Sequence, residues 1–415
     1  MTAATADRPA PPTVDVDRVR SWFPSLASGV AHFDGPGGTQ TPRQVGEAVA
    51  ATLTGPLSNL GRSVLPQRNA DDAVTAYRRG GADLLGVRPE AVVHGRSATA
   101  LTYELARTLA RGWRPGDEVV LSRLEHDANV RPWLQVAEQA GATVRWIDLD
   151  PASGELDLTS LDQALGERTR LVAVTGASNL IGTRPPLATI SERAHAVGAL
   201  VWVDAVHLVP HAPVDLAETG ADLLVCSPYK FLGPHCGMLV ARDGVLQELQ
   251  PDKLLPSSDR VPERFELGTL PYELLAGVTA AVDVLADLVP GAAEQSRPLR
   301  LARSMAALEA HEQRTRQLLE EQLLALDERV VLHGGAARRT PTLLLTLTGL
   351  DCAEASAFLA DRDVLVPGGH FYAVEPYRRL GIEEPSPLRV GLAPYTSTDD
   401  IDRLLAGLAD FLRTR

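Results

Sequence analysis

Residues 199–239 read ALVWVDAVHLVPHAPVDLAETGADLLVCSPYKFLGPHCGML, and two short apolar runs within them decide the fold. ALVWVD (199–204) and ADLLVCS (221–227) are apolar almost without interruption, the pattern of strands buried on both faces rather than one. Each ends on polar residues: Asp204 and His207 follow the first, Tyr229 and Lys230 the second. Toward the N-terminus the pattern repeats in AVVH (91–94), EVVLS (118–122), TVRWIDL (143–149) and RLVAVTG (170–176). Between these runs ALTYELARTLARGW (100–113), VRPWLQVAEQAG (130–141) and PLATISERAHAVG (186–198) carry apolar residues three and four apart, and the latter two stop at glycine. Strand and helix in alternation predict an α/β fold, a mainly parallel sheet sandwiched by helices.

Toward the C-terminus the pattern becomes Pro-rich and irregular at 251–272, and a helix is expected from about Glu273 to Leu288. PGAAEQSRP (290–298) reads as a hinge. Beyond it come a long helix (about 299–327), the strand runs VVLHG and PTLLLTL, a helix near 353–362, VLVP, LRVGLA and a terminal helix at 398–413. These make a smaller α+β unit. The expected organisation is an N-terminal arm (1–30, Pro-rich and polar over its first 17 residues), a large domain (31–290) and a small C-terminal domain (291–415).

Composition narrows the function. The 415 residues carry 40 Lys+Arg against 53 Asp+Glu, a net charge of −13 with both signs interspersed, so nucleic acid and anionic membrane surfaces have no electrostatic footprint to bind. No stretch reaches the roughly 18 consecutive apolar residues of a membrane span, and the N-terminus lacks the basic-then-apolar order of a signal peptide, which makes the cytoplasm the expected compartment. Cys226, Cys236 and Cys352 form no C-x-x-C pair, so neither a disulfide framework nor a zinc knuckle is expected. His207 and His211 stand four apart, but Pro210 breaks a regular helix there and no third ligand is evident, so no metal site is expected. Positive charge is almost all arginine. Chemistry that needs a lysine amine has two candidates, Lys230 and Lys253.

In an open parallel sheet, ligands gather beyond the carboxyl ends of the strands. In chain order those ends carry GRSAT (95–99), a small-residue turn opening a helix; EHDAN (125–129); Ser178 and Asn179; Asp204 and His207; and Tyr229 and Lys230. An anion-binding turn, a planar ring, an amide, an acid and a lysine together are what an aromatic phosphate ester bearing an aldehyde requires, which points to pyridoxal 5′-phosphate (PLP). Lys230 would form the Schiff base and then shuttle protons, Asp204 would pair with the pyridine nitrogen, and His126 would stack on the ring. His207 or Asn179 would bond the ring hydroxyl, while Ser97, Ser227, Tyr229 and the backbone of 97–99 (Ala98 and Thr99) would surround the phosphate.

The stretch 201–239 resembles the cofactor region of class V aminotransferase-fold enzymes, and specifically the cysteine desulfurase group. EHDANVRPW (125–133), SNLIG (178–182), FELGT (265–269) and LRVGLAPYTSTDDIDRL (388–404) match in the expected order, and HFDGPGGTQTP (32–42) is similar to the family's opening motif. The resemblance implies PLP fold type I, with a large domain built on a seven-stranded-type sheet. It implies the roles given above for Lys230, Asp204 and His126, and it makes Ser97, Ser227 and Tyr229 phosphate contacts, with Tyr229 where many relatives have histidine. His207 stands where glutamine is usual, and Ala98 where a phosphate-binding threonine is common. It implies further that Thr269 reaches the phosphate of a neighbouring subunit in a homodimer with shared sites. Arg389 would grip the substrate α-carboxylate. Gly37, Gly38, His370 and Tyr372 would complete the substrate site.

One departure matters. Desulfurases of this group carry a catalytic cysteine on a loop after a Gly-His pair, and here that loop reads GGHFYA (368–373), with Tyr372 at the cysteine position. Cys236, six residues from Lys230, is the nearest thiol in sequence, and cysteines of that kind are mostly buried and inert. The expected activity is therefore C–S cleavage of cysteine or an S-substituted cysteine by a β-lyase that releases sulfur directly. Transamination, epimerisation and decarboxylation by the same cofactor are the alternatives, and a silent dimeric binding module is the non-enzymatic one. A nicotinamide site is disfavoured, because no G-x-G-x-x-G follows the first strand.

Overall fold

In the computed structural model, residues 13–291, 295–382 and 386–415 are described. Seven strands form the main sheet: β2 (Val92–Gly95), β3 (Glu118–Ser122), β4 (Thr143–Ile147), β5 (Thr169–Thr175), β6 (Leu200–Asp204), β7 (Leu223–Cys226) and β8 (Gly237–Ala241), preceded in the chain by a short β1 (Ala31–His32). Their order across the sheet is β2-β8-β7-β6-β5-β3-β4. The five strands β4, β3, β5, β6 and β7 pair in parallel, while β8 runs antiparallel to both β7 and β2. β8 follows the Pro- and Gly-rich turn at 228–236 and was not among the expected strands.

Alternate residues of each central strand enter two different apolar clusters, which is why the runs read as continuously apolar. Val172, Val174, Val201, Val203 and Leu224 face a cluster shared with the helices Leu65–Leu85, Leu187–Ala196 and Tyr272–Ala286. Leu171, Ala173, Trp202, Leu223 and Val225 face the other, shared with Ala98–Ala110 and Arg131–Ala140. Each fully buried Val or Leu contributes about 1.5–3 kcal/mol. TVRWIDL departs from its expectation of two buried faces. β4 is the sheet edge, its outer residues alternate in exposure, and the Arg123 guanidinium lies 4.8 Å from the Trp146 ring centroid.

The smaller sheet contains β9 (Val330–His333), β10 (Thr342–Leu347) and β12 (Leu388–Gly391) in the antiparallel order β12-β10-β9. A helix at Arg297–Leu326, about 45 Å long at 1.5 Å per residue, leads into it, and helices Cys352–Ala360 and Thr398–Thr414 pack with it around a separate apolar cluster. The C-terminal helix starts at a reciprocal Ser397–Asp400 capping box.

The first described residues are not a loose arm. A helix at Val16–Arg20 is capped by Asp15; Val14, Val19 and Phe23 are buried; and the Phe23 ring lies 4.8 Å from that of Tyr395. Residues 1–12, the most Pro-rich part of the expected arm, lie outside the described residues, as do 292–294 within the expected hinge. β1 pairs in parallel with β11 (Val364–Leu365), and Ala31 and Phe33 are buried in the smaller unit's cluster. The segment after position 30 therefore crosses to the C-terminal part before the chain enters the large sheet.

Candidate active site

The carboxyl ends of β3, β5, β6 and β7 open into a cavity lined by Ser97, Ala98, Thr99, Thr102, His126, Ala128, Thr175, Ala177, Asn179, Asp204, Val206, His207, Ser227, Tyr229 and Lys230. Register explains the convergence: Thr175 pairs with Asp204 and Asp204 with Val225, so loops 176–179, 205–207 and 227–230 leave the sheet side by side. A second cavity shares Thr99, His126, Asn179, Tyr229 and Lys230 with the first and adds Gly37, Tyr103, Arg131, Phe371, Tyr372 and Arg389. The inner space suits a flat ring with its anionic tail, and the outer one suits its substrate.

Of the two lysines, only Lys230 lines these cavities. Lys253 is held elsewhere, donating to the Ser257 carbonyl at 3.0 Å and pairing with Asp259 at 3.0 Å. Burial, reinforced by the Arg389 cation, pulls the Lys230 amine down to about 8 against the opposing pull of Asp204. Asp204 accepts from the Val206 amide at 2.9 Å, and its burial raises its carboxyl above the usual range. The His126 Nδ1 accepts from the Ala128 amide at 3.0 Å. Burial, with Lys230 nearby, lowers this imidazole to about 4, so the ring is neutral and carries its proton on Nε2.

The anion end is built at the start of the helix Ala98–Ala110. Ser97 caps it, accepting from the Ala100 amide at 3.0 Å, and the first amides of the helix point out of its end. Gly237 of β8 backs this turn: a Cβ there would stand 2.4 Å from the Ser97 carbonyl carbon, so only glycine lets the strand approach so closely. Tyr229 stacks on His235 with centroids 4.7 Å apart and planes within 6°.

Arg389, 4% exposed, donates from Nη1 to the Asn179 carbonyl at 3.0 Å, and its guanidinium lies 3.7 Å from the Phe371 ring centroid. The loop carrying Phe371 is pinned over the cavity. The Asn179 amide donates to the Phe371 carbonyl at 2.9 Å, the Asp127 amide donates to the Tyr372 carbonyl at 2.7 Å, and the Tyr372 ring stacks on His126 at 5.5 Å. Phe371 (φ 51°) and Tyr372 (φ 58°) both hold left-handed backbone, a conformation that bulky side chains adopt only when the surroundings impose it.

Three expected residues stand apart. His370 is exposed, its Nδ1 accepting from the Tyr372 amide at 3.1 Å, and it lines neither cavity. Gly38 packs behind the Tyr229 ring, where a Cβ would stand 3.1 Å from Cδ2, and does not line either cavity. Thr269 lies on an exposed loop of the single chain.

Sequence reading overlooked Glu125. It is fully buried and accepts from the Ser122 hydroxyl, the Thr175 amide (2.7 Å) and Asn129 (2.7 Å), which ties the ends of β3 and β5 together beneath His126. Burial pushes its carboxyl up to about 8. Its place in EHDAN was the available signal, overshadowed by the neighbouring imidazole.

Two buried polar atoms of the inner cavity, Asn179 Oδ1 and His207 Nδ1, have no hydrogen-bond partner among the described residues, which is what a polar aromatic ligand would supply. With an acid, a lysine and a capped helix N-terminus beside them, the residues present fit PLP. A family model described as aminotransferase class-V matches residues 31–404. The chain belongs to the class V aminotransferase family. It is 33% identical over 95% of its length to an uncharacterized protein of Mycobacterium tuberculosis, covering 98% of that protein, and 31% identical over 95% to a cysteine desulfurase of Dickeya dadantii, covering 96% of it. Among solved structures, a cysteine desulfurase from Thermococcus onnurineus superposes with a TM-score of 0.87 at 23% identity over 97% of this chain and 99% of that one, and so shares the fold. The fold is also that of a C-DES mutant with glycine covalently linked to its PLP cofactor (TM-score 0.78, 21% identity, 94% of this chain and 99% of that one). This class V aminotransferase-fold protein is a PLP-dependent enzyme of fold type I, resembling the cysteine desulfurases.

Proposed function

We propose that the enzyme is a C–S lyase acting on cysteine or an S-substituted cysteine and releasing the sulfur directly as sulfide or thiol. The observation that carries this reading is the aromatic loop: Tyr372 stacks on His126 at the position where the resemblance calls for a nucleophilic thiol. All three cysteines are buried, and burial raises each thiol above its ordinary value, Cys236 to about 12. None can serve as a thiolate acceptor. Relatives named cysteine desulfurase support cleavage at a C–S bond.

Bound PLP would supply an electron sink for charge developing at the substrate Cα. Asp204 would face the ring nitrogen, His126 the ring face, and Ser97, Ser227, Tyr229 and the amides of Ala98 and Thr99 the phosphate. Arg389 would take the α-carboxylate in a bidentate grip, with Phe371 excluding water from the guanidinium. Lys230, whose amine is neutral above about pH 8, takes the proton from Cα, and the Cβ–S bond breaks with the electron pair leaving on sulfur.

A homodimer with sites at the subunit interface fits two observations. Leu53, Leu60, Val64 and Leu65, and in a second segment Leu254, Leu255 and Leu267, are exposed apolar side chains, and Thr269 lies at the end of that second segment. Three unpaired thiols suit a reducing compartment, the cytoplasm. Among the described residues no helix is long and apolar enough to cross a membrane.

The test is incubation of the PLP-loaded enzyme with L-cysteine and with an S-alkyl cysteine, measuring sulfide or thiol, pyruvate and alanine. Sulfide or thiol with equimolar pyruvate is expected. Alanine in place of pyruvate, or a keto acid that retains its sulfur, would overturn the lyase reading.

A further inference from the structure

His207 is 2% exposed and sits between two sheets. Its Nε2 lies 2.8 Å from the hydroxyl of Thr342, a fully buried residue on β10 of the smaller sheet. Its Nδ1, also buried, has no partner among the described residues and belongs to a ring that lines the inner cavity. We propose that Thr342 sets the tautomer of His207, donating its hydroxyl proton to Nε2 so that Nδ1 carries a proton aimed at the phenolic oxygen of bound PLP. Thr342 is then a positioning residue contributed by the smaller sheet.

The argument is one of donors and acceptors. Among the described residues the Thr342 hydroxyl makes this hydrogen bond and no other. Were it to accept from Nε2–H, its own proton would be buried unpaired, and Nδ1 would turn a lone pair toward the cavity. A phenolic oxygen beside a protonated imine is anionic and only accepts, so the two lone pairs would face each other. With Thr342 as donor both protons are used. The ring is also held neutral, so tautomer rather than charge is the variable. Burial, His211, Lys230 and Arg389 all lower His207 well below its ordinary range. Asp204 and Asn179 are the remaining acid and amide of the same cavity.

Behind His207 the pattern continues. His211 stands edge-on with centroids 5.1 Å apart, and its Nδ1 is 2.9 Å from Glu312 on the long helix Arg297–Leu326, both side chains being buried. Glu312 thus occupies His211, leaving Thr342 as the only group of the chain bonded to the His207 ring among the described residues. Glutamine, usual at this position in the resembled group, has a fixed amide donor. Histidine needs a second residue to decide which nitrogen donates, and Thr342 supplies that decision.

The proposal rests on PLP binding and not on which bond is cleaved, so it is read without turnover. Nitrogen-15 NMR of histidine-labelled, PLP-loaded protein, with His207 assigned by difference from His207→Gln, should show Nδ1 protonated and Nε2 bare. Thr342→Val removes the hydroxyl while keeping the β-branched shape. It should mix the tautomers and raise the pH midpoint of the visible absorption band by about one unit, because a phenolate that loses its donor holds the imine proton more tightly. Thr342→Ser should restore both readings. A protonated Nε2 in the parent protein, which needs no variant to observe, overturns the proposal. So does Thr342→Val matching Thr342→Ser in tautomer and midpoint.

Discussion

Lys230 is an amine whose burial makes its charge costly, and the role proposed for it draws on that cost. With its pKa near 8, capture of an aldehyde by the cofactor-free protein should accelerate roughly tenfold per pH unit up to about pH 8 and level off above it. Stopped-flow absorbance after mixing with PLP measures this profile. Lys230→Ala should fold and form no borohydride-reducible link to PLP; a retained link would transfer the role to Lys253. Glu125 titrates in the opposite sense. Its folded-state pKa, near 8, lies above the unfolded value near 4.5, so the folded state binds the extra proton and stability falls as pH rises through that window. Glu125→Gln should therefore flatten the loss of thermal midpoint between pH 5 and 8, as differential scanning calorimetry would detect, and an unchanged slope would place that loss in other groups.

Among the elements, β8 and the turn it supports make the sharpest case. Gly237→Ala sets a Cβ against backbone on the Ser97 turn, where no flexible side chain can yield. About 1–3 kcal/mol of destabilisation is expected in urea unfolding, with weaker PLP binding by equilibrium titration. Sequence patterning exposed β3, β5, β6 and β7 because burial on both faces leaves few polar residues in them. β8, no shorter than β3 or β6, escaped because it emerges directly from a Pro/Gly-rich turn. Lys230, Asp204 and His126 were legible because strand ends in a parallel sheet converge by topology. Thr342 was not, since a threonine in a β-strand is unremarkable and lies 135 residues from the ring it touches. The locked backbone at Phe371 and Tyr372 was equally hidden, because it follows from amides donated by Asn179 and Asp127. Tyr372→Ala should loosen that loop and broaden the range of amino acids accepted, measured as kcat/KM across S-substituted cysteines; an unaltered range would remove Tyr372 from specificity.

At the level of the whole molecule, the exposed leucines at 53–65 and 254–267 are the surface on which the proposed second subunit would pack. Leu255, 97% exposed, tests this: Leu255→Glu should shift sedimentation from dimer toward monomer, and an unchanged dimer would place the interface elsewhere.

The parallel pairing of β1 with β11 joins residues made at opposite ends of synthesis. Ala31 and His32 leave the ribosome long before Val364 and Leu365 exist to pair with them, and Asp34 waits longer still for its bridge to Gly391. The large sheet can close during synthesis, but the turn at Gly35–Gly37 beside Arg389 cannot be set until the last strand has been made. Arg389, the residue proposed to hold the substrate carboxylate, is thus the last part of the candidate site to be made, and a chain stalled before it would lack that grip.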